Sequence, residues 1–380
     1  MRPRALKLSF VLLVAVLLAL PFIVSAGNPA DIAAAPMAQG NQPEASPEGY
    51  IASPEGPAPE AAHVWTREEM ANAIPISMPD PGEAALDELG PAQGVPTGKP
   101  GMTAGSLPEG AKAFVPQVDA INSDLAQAGL QGYGYPAPFT RYWNFDSYLV
   151  HPYRTVGKVF FTQRDGHAPY TARNYVASAA TIGRYVAWTA GHVVHNGHGN
   201  PPARQWFWSY NFIFVPAYAN GASPLQQWPA KQLWTSTSWY FNGQNGQFGR
   251  DMGIVKLWPR NGVAVGSVTG WLGLAWNWGV QQHWFSMGYP AAAPFDGRWQ
   301  WICAASYAYS DGRMAPPTVG IGCDMTGGCS GGPWIWRFGS GNYLNGNNSY
   351  RYNNHPGELF SPFFDSFAKT LWDASNPNNP

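Results

Sequence analysis

The stretch CDMTGGCSGGPW, residues 323–334, sets four glycines around a single serine, Ser330. Glycine adopts backbone conformations that strain other residues, so a loop of this composition suits a tight turn or a close backbone approach. The serine at its centre is either a small residue in that turn or a reactive hydroxyl. The segments upstream of the loop decide between these two interpretations.

The chain from residue 141 to residue 380 has the pattern of an all-β domain. Short apolar runs such as RTVGKVFFTQ, YVASAATIG and MGIVKLWP alternate with turn residues, which is typical of strands in a sandwich or in a pair of barrels. Helical periodicity does not separate the runs, so we do not expect a parallel α/β sheet. One helix is expected near the C-terminus, where Pro362 can open FFDSFAKTLWDA and its phenylalanines share one stripe.

The first 140 residues differ in composition from the rest. A basic start, an apolar run and small residues up to Ala26 predict a secretory signal peptide over residues 1–26, with a retained membrane anchor as the alternative. Residues 27–140 carry 14 Asp and Glu against 3 Lys and Arg and are rich in Pro and Ala, so we expect a largely disordered pro-segment or linker. Two islands can form helical turns: one in which Thr66 and Glu69 have capping-box spacing, and one over residues 118–130.

The cysteines and the charge pattern limit the classes of function. Sequence alone does not fix the pairing of three cysteines, but Cys303–Cys323 is preferred because Cys323–Cys329 would close a very small ring in the glycine loop. There is no CxxC or HExxH motif, so we expect no metal and no cofactor. The basic excess after residue 140 is diffuse, which argues against nucleic-acid binding.

One serine-nucleophile pattern fits the opening stretch only locally. Gly328-Cys329-Ser330-Gly331-Gly332 matches the G-x-S-x-G elbow of α/β-hydrolases, which requires an acid and then a histidine after the serine. A single histidine, His355, follows Ser330, and the strands before the serine lack crossover helices. We therefore treat this match as accidental.

A second pattern, in the chain order His, Asp, Ser, fits at three places. TAGH places His192 after an apolar run, GRDMGIVKL places Asp251 before one, and GGCSGGP contains Ser330. In this order the segments resemble the trypsin/chymotrypsin-like serine endopeptidases, especially their bacterial secreted branch that includes glutamyl endopeptidases. The resemblance covers roughly residues 150–375 and implies two antiparallel β-barrels that hydrolyse protein or peptide substrates outside the cell, without stable membrane association once the signal is removed.

The resemblance also implies a role for each motif residue. His192 would take the proton of Ser330 and return it to the leaving amine, while Asp251 would hold the imidazole in one tautomer. The backbone N–H groups of Gly328 and Ser330 would form the oxyanion hole. The neighbouring His195 and His198 lack the carboxylate of a metal site, so we expect them in a surface loop.

Three positions depart from the family pattern or concern specificity. Cys329 stands where many animal relatives carry an Asp that receives a new N-terminal ammonium, so activation by that ion pair is not expected. Asp324, six residues before the serine, corresponds to the base of the primary pocket and would favour Arg or Lys; the alternative is a turn acid. Ser349 lies on the strand expected to pair with the substrate backbone, and NNSYRY contains no His, so we do not expect Glu specificity.

The alternative function belongs to another class: a catalytically inactive relative of these peptidases that acts by binding. The chain has 18 Trp residues, and such a protein would bind protein or glycan through an aromatic surface. The packing of barrel cores and strand faces also accounts for most of these aromatic residues.

Overall fold

The computed structural model describes residues 48–83, 89–90, 98–111, 136–166, 169–198 and 206–380. The predicted signal peptide, residues 1–26, and the predicted helical turn at 118–130 lie outside the described residues. Within the described ranges the strands are β1 Tyr50–Ala52, β2 Ile74–Pro75, β3 Leu89–Gly90, β4 Gly101–Thr103, β5 Thr140–Asn144, β6 Val156–Arg164, β7 Ala172–Thr181, β8 Val186–Thr189, β9 Tyr210–Pro216, β10 Trp228–Ser236, β11 Gly253–Leu257, β12 Gly273–Trp276, β13 His283–Gly288, β14 Gln300–Asp311, β15 Thr318–Gly322, β16 Pro333–Trp336, β17 Tyr343–Asn347 and β18 Glu358–Pro362. The helices there are α1 Arg67–Asn72, α2 Gly191–Val194, α3 Thr237–Asn242, α4 Val265–Thr269 and α5 Ser366–Ala374.

Six antiparallel strands close the first barrel in the order β10-β11-β8-β7-β6-β9. The ring closes where β9 pairs with β10, with Phe214 opposite Trp228. Successive side chains of β6 enter different clusters, because Val159 and Phe161 pack in one and Phe160 in another. Both faces of the strand are thus buried, which explains why the sequence shows continuous apolar runs rather than strict alternation.

The second half of the chain, joined by β3, β4 and β5, forms a ten-stranded sheet. Its main path is β18-β15-β14-β13-β16-β17-β12-β4, with β3 and β5 also paired to β14. Its pairs are antiparallel except for β12 with β17. The cluster that contains Phe160 and Trp188 of the first barrel also contains Met287, Ile302 and Ile335 of this sheet. The all-β fold class predicted from the sequence is confirmed, and the antiparallel strands on either side of Ser330 exclude the α/β-hydrolase fold.

The C-terminal helix exists, but its predicted start was wrong. Pro362 is the last residue of β18, where it pairs with Thr318. Helix α5 begins at Ser366 because the Asp365 carboxylate caps it, accepting a hydrogen bond from Phe367 N at 2.9 Å. The helix is amphipathic as predicted, with Phe367 and Leu371 buried.

The described parts of residues 48–111 are more ordered than their composition suggests. The capping box is present, because Thr66 and Glu69 bond reciprocally at the start of α1. Strands β1 and β2 add to the first barrel, and β3 and β4 add to the second sheet. Strands of two or three residues gain backbone hydrogen bonds from an existing sheet and need no apolar periodicity, so the sequence did not signal them.

No helix in the described part of the chain has the length and apolar character needed to cross a membrane.

Candidate active site

The pairing of β8 with β11 brings His192 and Asp251 to the same end of the first barrel. Thr189, the last residue of β8, lies opposite Gly253, the first residue of β11. His192 follows β8 on the short helix α2, and Asp251 precedes β11. Because the two strands are antiparallel, the chain leaving one and the chain entering the other meet at one edge.

Asp251 is completely buried and its carboxylate accepts three hydrogen bonds. Oδ1 accepts from His192 N at 2.8 Å, and Oδ2 accepts from His192 Nδ1 at 2.8 Å. The third donor is the hydroxyl of Ser349, which bonds Oδ2. A carboxylate only accepts, so the imidazole proton lies on Nδ1 and the neutral ring leaves Nε2 as a free acceptor. This arrangement is the one that a general base requires.

The loop that carries Ser330 docks against the residues just before His192. Gly331 has φ +79°, and a Cβ on it would lie 2.0 Å from Thr189 Oγ1 and 2.7 Å from Ala190 N. Only glycine permits both this conformation and this approach. Ser178 N on β7 also donates to Ser330 O at 2.8 Å. The serine loop and the histidine segment, 138 positions apart in the chain, are therefore adjacent in space.

The two atoms expected to exchange a proton are buried and unpaired. Among the described residues, neither His192 Nε2 nor Ser330 Oγ has a hydrogen-bond partner, so they are not bonded to each other in this state. Buried polar side-chain atoms usually have a partner. Catalytic hydrogen bonds are often open without substrate and tighten when it binds.

The backbone N–H of Gly328 points at a carbonyl. Gly328 has φ +96°, and Ser178 Oγ donates to its carbonyl oxygen at 2.9 Å. Its N–H donates to Ile76 O at 3.1 Å. The predicted oxyanion-hole donor therefore already holds a peptide oxygen, supplied by the segment that follows α1.

Asn348 holds the serine loop in place of the missing ion pair. Its Nδ2 donates to Cys329 O at 3.0 Å and to Met287 O at 3.1 Å, while its Oδ1 accepts from Ser286 Oγ and Trp334 Nε1, both at 2.7 Å. Its main-chain oxygen accepts from Gly331 N at 2.7 Å. No motif in the sequence predicted this role of Asn348; its one signal was a polar Asn-Asn-Ser run, residues 347–349, among apolar strands.

The three cysteines divide into a disulfide and a buried thiol. Cys303 and Cys323 form a disulfide, the pair preferred from the sequence. Cys329 is free and buried, and burial raises the pKa of its thiol to about 12. A thiol with this pKa stays protonated near neutrality and is a poor nucleophile.

The two predicted substrate-binding residues already have protein partners. Arg141 Nη1 on β5 forms an ion pair with Asp324 Oδ2. Ser349 uses its hydroxyl on Asp251, and its N–H donates to Phe360 O at 2.9 Å. Contact of either residue with a substrate stays a prediction.

The expected surface position of His195 was wrong. His195 is fully buried, with its ring centroid 4.5 Å from that of Tyr240 and 5.0 Å from that of Trp208. Its loop looks polar in sequence, but the imidazole fills a gap between two large rings. Within the described ranges, no three His, Cys, Asp or Glu residues are grouped to hold a metal ion.

Two solved structures share this fold at appreciable sequence identity. The protease Anisep from Arthrobacter nicotinovorans is 31% identical, with a TM-score of 0.52 over 62% of this chain and 99% of that one. The thermostable serine protease AL20 from an extremophilic microorganism is 34% identical, with a TM-score of 0.51 over 59% of this chain and 98% of that one. A Glu endopeptidase also matches, at 15% identity and a TM-score of 0.46 over 62% and 96% of the two chains.

The fold and the first two of these structures define a class: the serine-protease fold, built on an antiparallel barrel. The chain belongs to the trypsin/chymotrypsin-like serine protease family. No protein-family model and no curated protein matches the sequence.

Proposed function

We propose that the protein is a secreted serine endopeptidase in which Ser330, His192 and Asp251 form the catalytic triad. The observation that carries the proposal is the buried His192–Asp251 pair, with Nε2 left as an acceptor beside the docked Ser330 loop. Secretion is supported by the signal-like N-terminal sequence and by the Cys303–Cys323 disulfide.

The proposed reaction has two halves. Ser330 Oγ bonds to the carbonyl carbon of the scissile peptide as its proton moves to His192 Nε2. The tetrahedral intermediate then breaks its C–N bond, and the imidazolium gives that proton to the leaving amine. A water molecule attacks the resulting acyl-enzyme with the same help from His192, which releases the acid and restores the serine. Asp251 stabilises the imidazolium in both halves through its bond to Nδ1.

The oxyanion of each tetrahedral state would be held by the N–H groups of Gly328 and Ser330. One such donor contributes roughly 3–4 kcal/mol of transition-state stabilisation. Asn348 and Ser178 hold the carbonyls of Cys329 and Gly328, and thereby orient the peptide groups of this loop.

Replacing Ser330 by Ala tests the proposal. We expect the full chain to hydrolyse a peptide ester and to react covalently with a serine-directed phosphonate at Ser330, and Ser330→Ala to do neither. Ser340→Ala, a change at an exposed serine ten positions away, is the matched control and should behave as the parent. The inactive binding relative predicts no labelling of the parent under any condition. Unchanged hydrolysis in Ser330→Ala would refute the assignment.

A further inference from the structure

A short stretch of the N-terminal region, residues Ile74–Asp80, crosses the candidate active site; we call it the cleft segment. It starts as β2, which pairs with β7 of the first barrel. Ile76 N donates to Val176 O at 3.0 Å, and Ile76 O accepts from Gly328 N at 3.1 Å. One residue thus connects the barrel to the proposed oxyanion hole through its two backbone groups.

The cleft segment then reaches the strand region that follows the serine loop. Met78 Sδ lies 3.6 Å from Cys329 Sγ, the side chain immediately before Ser330. Arg351 N donates to Pro79 O at 3.3 Å, and the Asn353 amide bonds the Asp80 carboxylate. Arg351 follows Ser349 and Tyr350, within the stretch expected to pair with a substrate backbone. The segment therefore contacts both the serine loop and the stretch after Ser349.

The cleft segment also lines the cavity that contains the candidate catalytic base. Ile76, Ser77 and Pro79 line a cavity of about 240 Å³ together with His192. In the presence of the segment, His192 is 3% exposed and Ser330 is completely buried. A polypeptide substrate reaching these residues would have to displace the segment.

The composition of the cleft segment suits an extended peptide that presents oxygens. Pro75 and Pro79, like Pro81 after them, fix φ and lower the entropy lost on docking. Pro79 has no backbone N–H, so it has no donor that needs a partner in the docked segment. Its carbonyl is still able to accept from Arg351 N. The segment offers acceptors at Ile76 and Pro79, where the site offers the donors Gly328 and Arg351.

We propose that the cleft segment is an autoinhibitory occupant of the active site, which must leave before a polypeptide substrate binds. This inference rests on the proposed function, because only a catalytic site can be inhibited. Because the segment belongs to the same chain as the site, its docking is intramolecular, and a free substrate must compete with a raised effective concentration. The carbonyl of Ile76 takes the donor that a tetrahedral oxyanion would use.

The first test measures docking without using activity. In a Ser330→Ala background, hydrogen exchange at the amides of Gly328 and Arg351 should be slow. Removing two apolar anchors, Ile76→Gly with Met78→Gly, should speed both by at least about tenfold, since each loses buried contacts. The matched control, Val64→Gly with Met102→Gly, removes two exposed apolar side chains of the same region and should change neither amide. Equal exchange in all three proteins would overturn the docking.

The second test measures inhibition in proteins that retain Ser330. The anchor variant should hydrolyse a peptide ester and react with a serine-directed phosphonate at least about tenfold faster than the parent and the control. A synthetic peptide of residues 72–82, NAIPISMPDPG, added to the anchor variant should restore the slow rate. Equal rates in parent and variant would overturn autoinhibition. If no protein is labelled by the phosphonate, the proposed peptidase function is refuted, and autoinhibition with it. If hydrogen exchange is nevertheless faster in the anchor variant, the docking of the cleft segment still stands.

Discussion

His192 donates twice to Asp251, through its backbone N–H and through Nδ1, each at 2.8 Å. The backbone bond fixes the position of the carboxylate relative to the chain that carries the imidazole, and the side-chain bond fixes the tautomer. Two bonds therefore hold His192 to one carboxylate, and within the described part of the chain its Nε2 has no hydrogen-bond partner. This relationship leads to the first prediction.

Asp251→Asn should abolish most activity without unfolding the protein. The amide keeps the volume of the carboxylate, but its NH₂ group can force the imidazole proton onto Nε2, where it blocks proton transfer from Ser330. We expect kcat to fall by roughly 10³–10⁴-fold, measured by ester hydrolysis, with an unchanged circular dichroism spectrum. Asp373→Asn on the exposed side of α5 is the control. A loss of less than tenfold would contradict the role of Asp251.

Ser349→Ala separates a positioning role from a substrate contact. The hydroxyl of Ser349 bonds the Asp251 carboxylate, so its loss removes one of three donors from a buried charge. Such a bond contributes about 1.5–3 kcal/mol, and we expect kcat to fall about tenfold or more with KM nearly unchanged. Steady-state kinetics on a peptide ester distinguish the two roles. A rise in KM at constant kcat would contradict the positioning role and would support direct substrate binding by Ser349.

Arg141→Gln tests whether Asp324 can select basic substrates. The guanidinium of Arg141 pairs with one oxygen of Asp324, while the other oxygen is buried and lacks a partner among the described residues. Without the arginine, the carboxylate has no counter-charge of its own, so a substrate Arg or Lys should bind better. We expect kcat/KM for Arg and Lys peptides to rise relative to Ala peptides, as measured on a mixed peptide library. An unchanged preference would indicate that Asp324 points away from the substrate.

Lys158, on strand β6 of the first barrel, should make the free energy of unfolding depend on pH. Burial lowers the pKa of its ammonium from its usual 10.5 to about 8, while Asp296 partly opposes the shift. The Nζ atom donates to Gly297 O at 2.9 Å and lies 4.9 Å from the ring centroid of Tyr218. Between these two pKa values the unfolded chain holds a proton that the folded chain lacks, so this group makes folding more favourable as the pH rises from about 8 to 10.5.

Comparison with Lys158→Met isolates that effect from the other titrating groups. The free energy of unfolding of the parent minus that of the variant should increase over this pH window by up to about 3 kcal/mol. Urea unfolding at several pH values measures it. A difference that stays flat across the window would show that Lys158 titrates normally in the folded protein.

The motifs predicted the class of fold, which is confirmed, and they named the residues of the candidate site, but they did not predict the contacts that assemble it. TAGH and GCSGGP are short contiguous motifs that can be recognised in a single sequence, and the strands around them are predicted by apolar runs. The bonds of Asn348 to Cys329 and Met287 depend on how distant strands register, and no local pattern encodes this. The same holds for Ile76, whose carbonyl meets Gly328 across 252 positions. The start of α5 was misplaced because Pro362 suits a strand end as well as a helix start.

Asn348 has a consequence for the conditions under which the catalytic loop keeps its shape. In relatives that use an ammonium and a carboxylate at this place, either group can lose its charge as the medium becomes alkaline or acidic. A carboxamide has no such transition, and it arrives with the chain as synthesised rather than after a cut that creates a new terminus. The bonds by which Asn348 holds the serine loop therefore need neither a cleavage nor a change of protonation to form, so in the proposed enzyme the displacement of the cleft segment is the step left to be controlled.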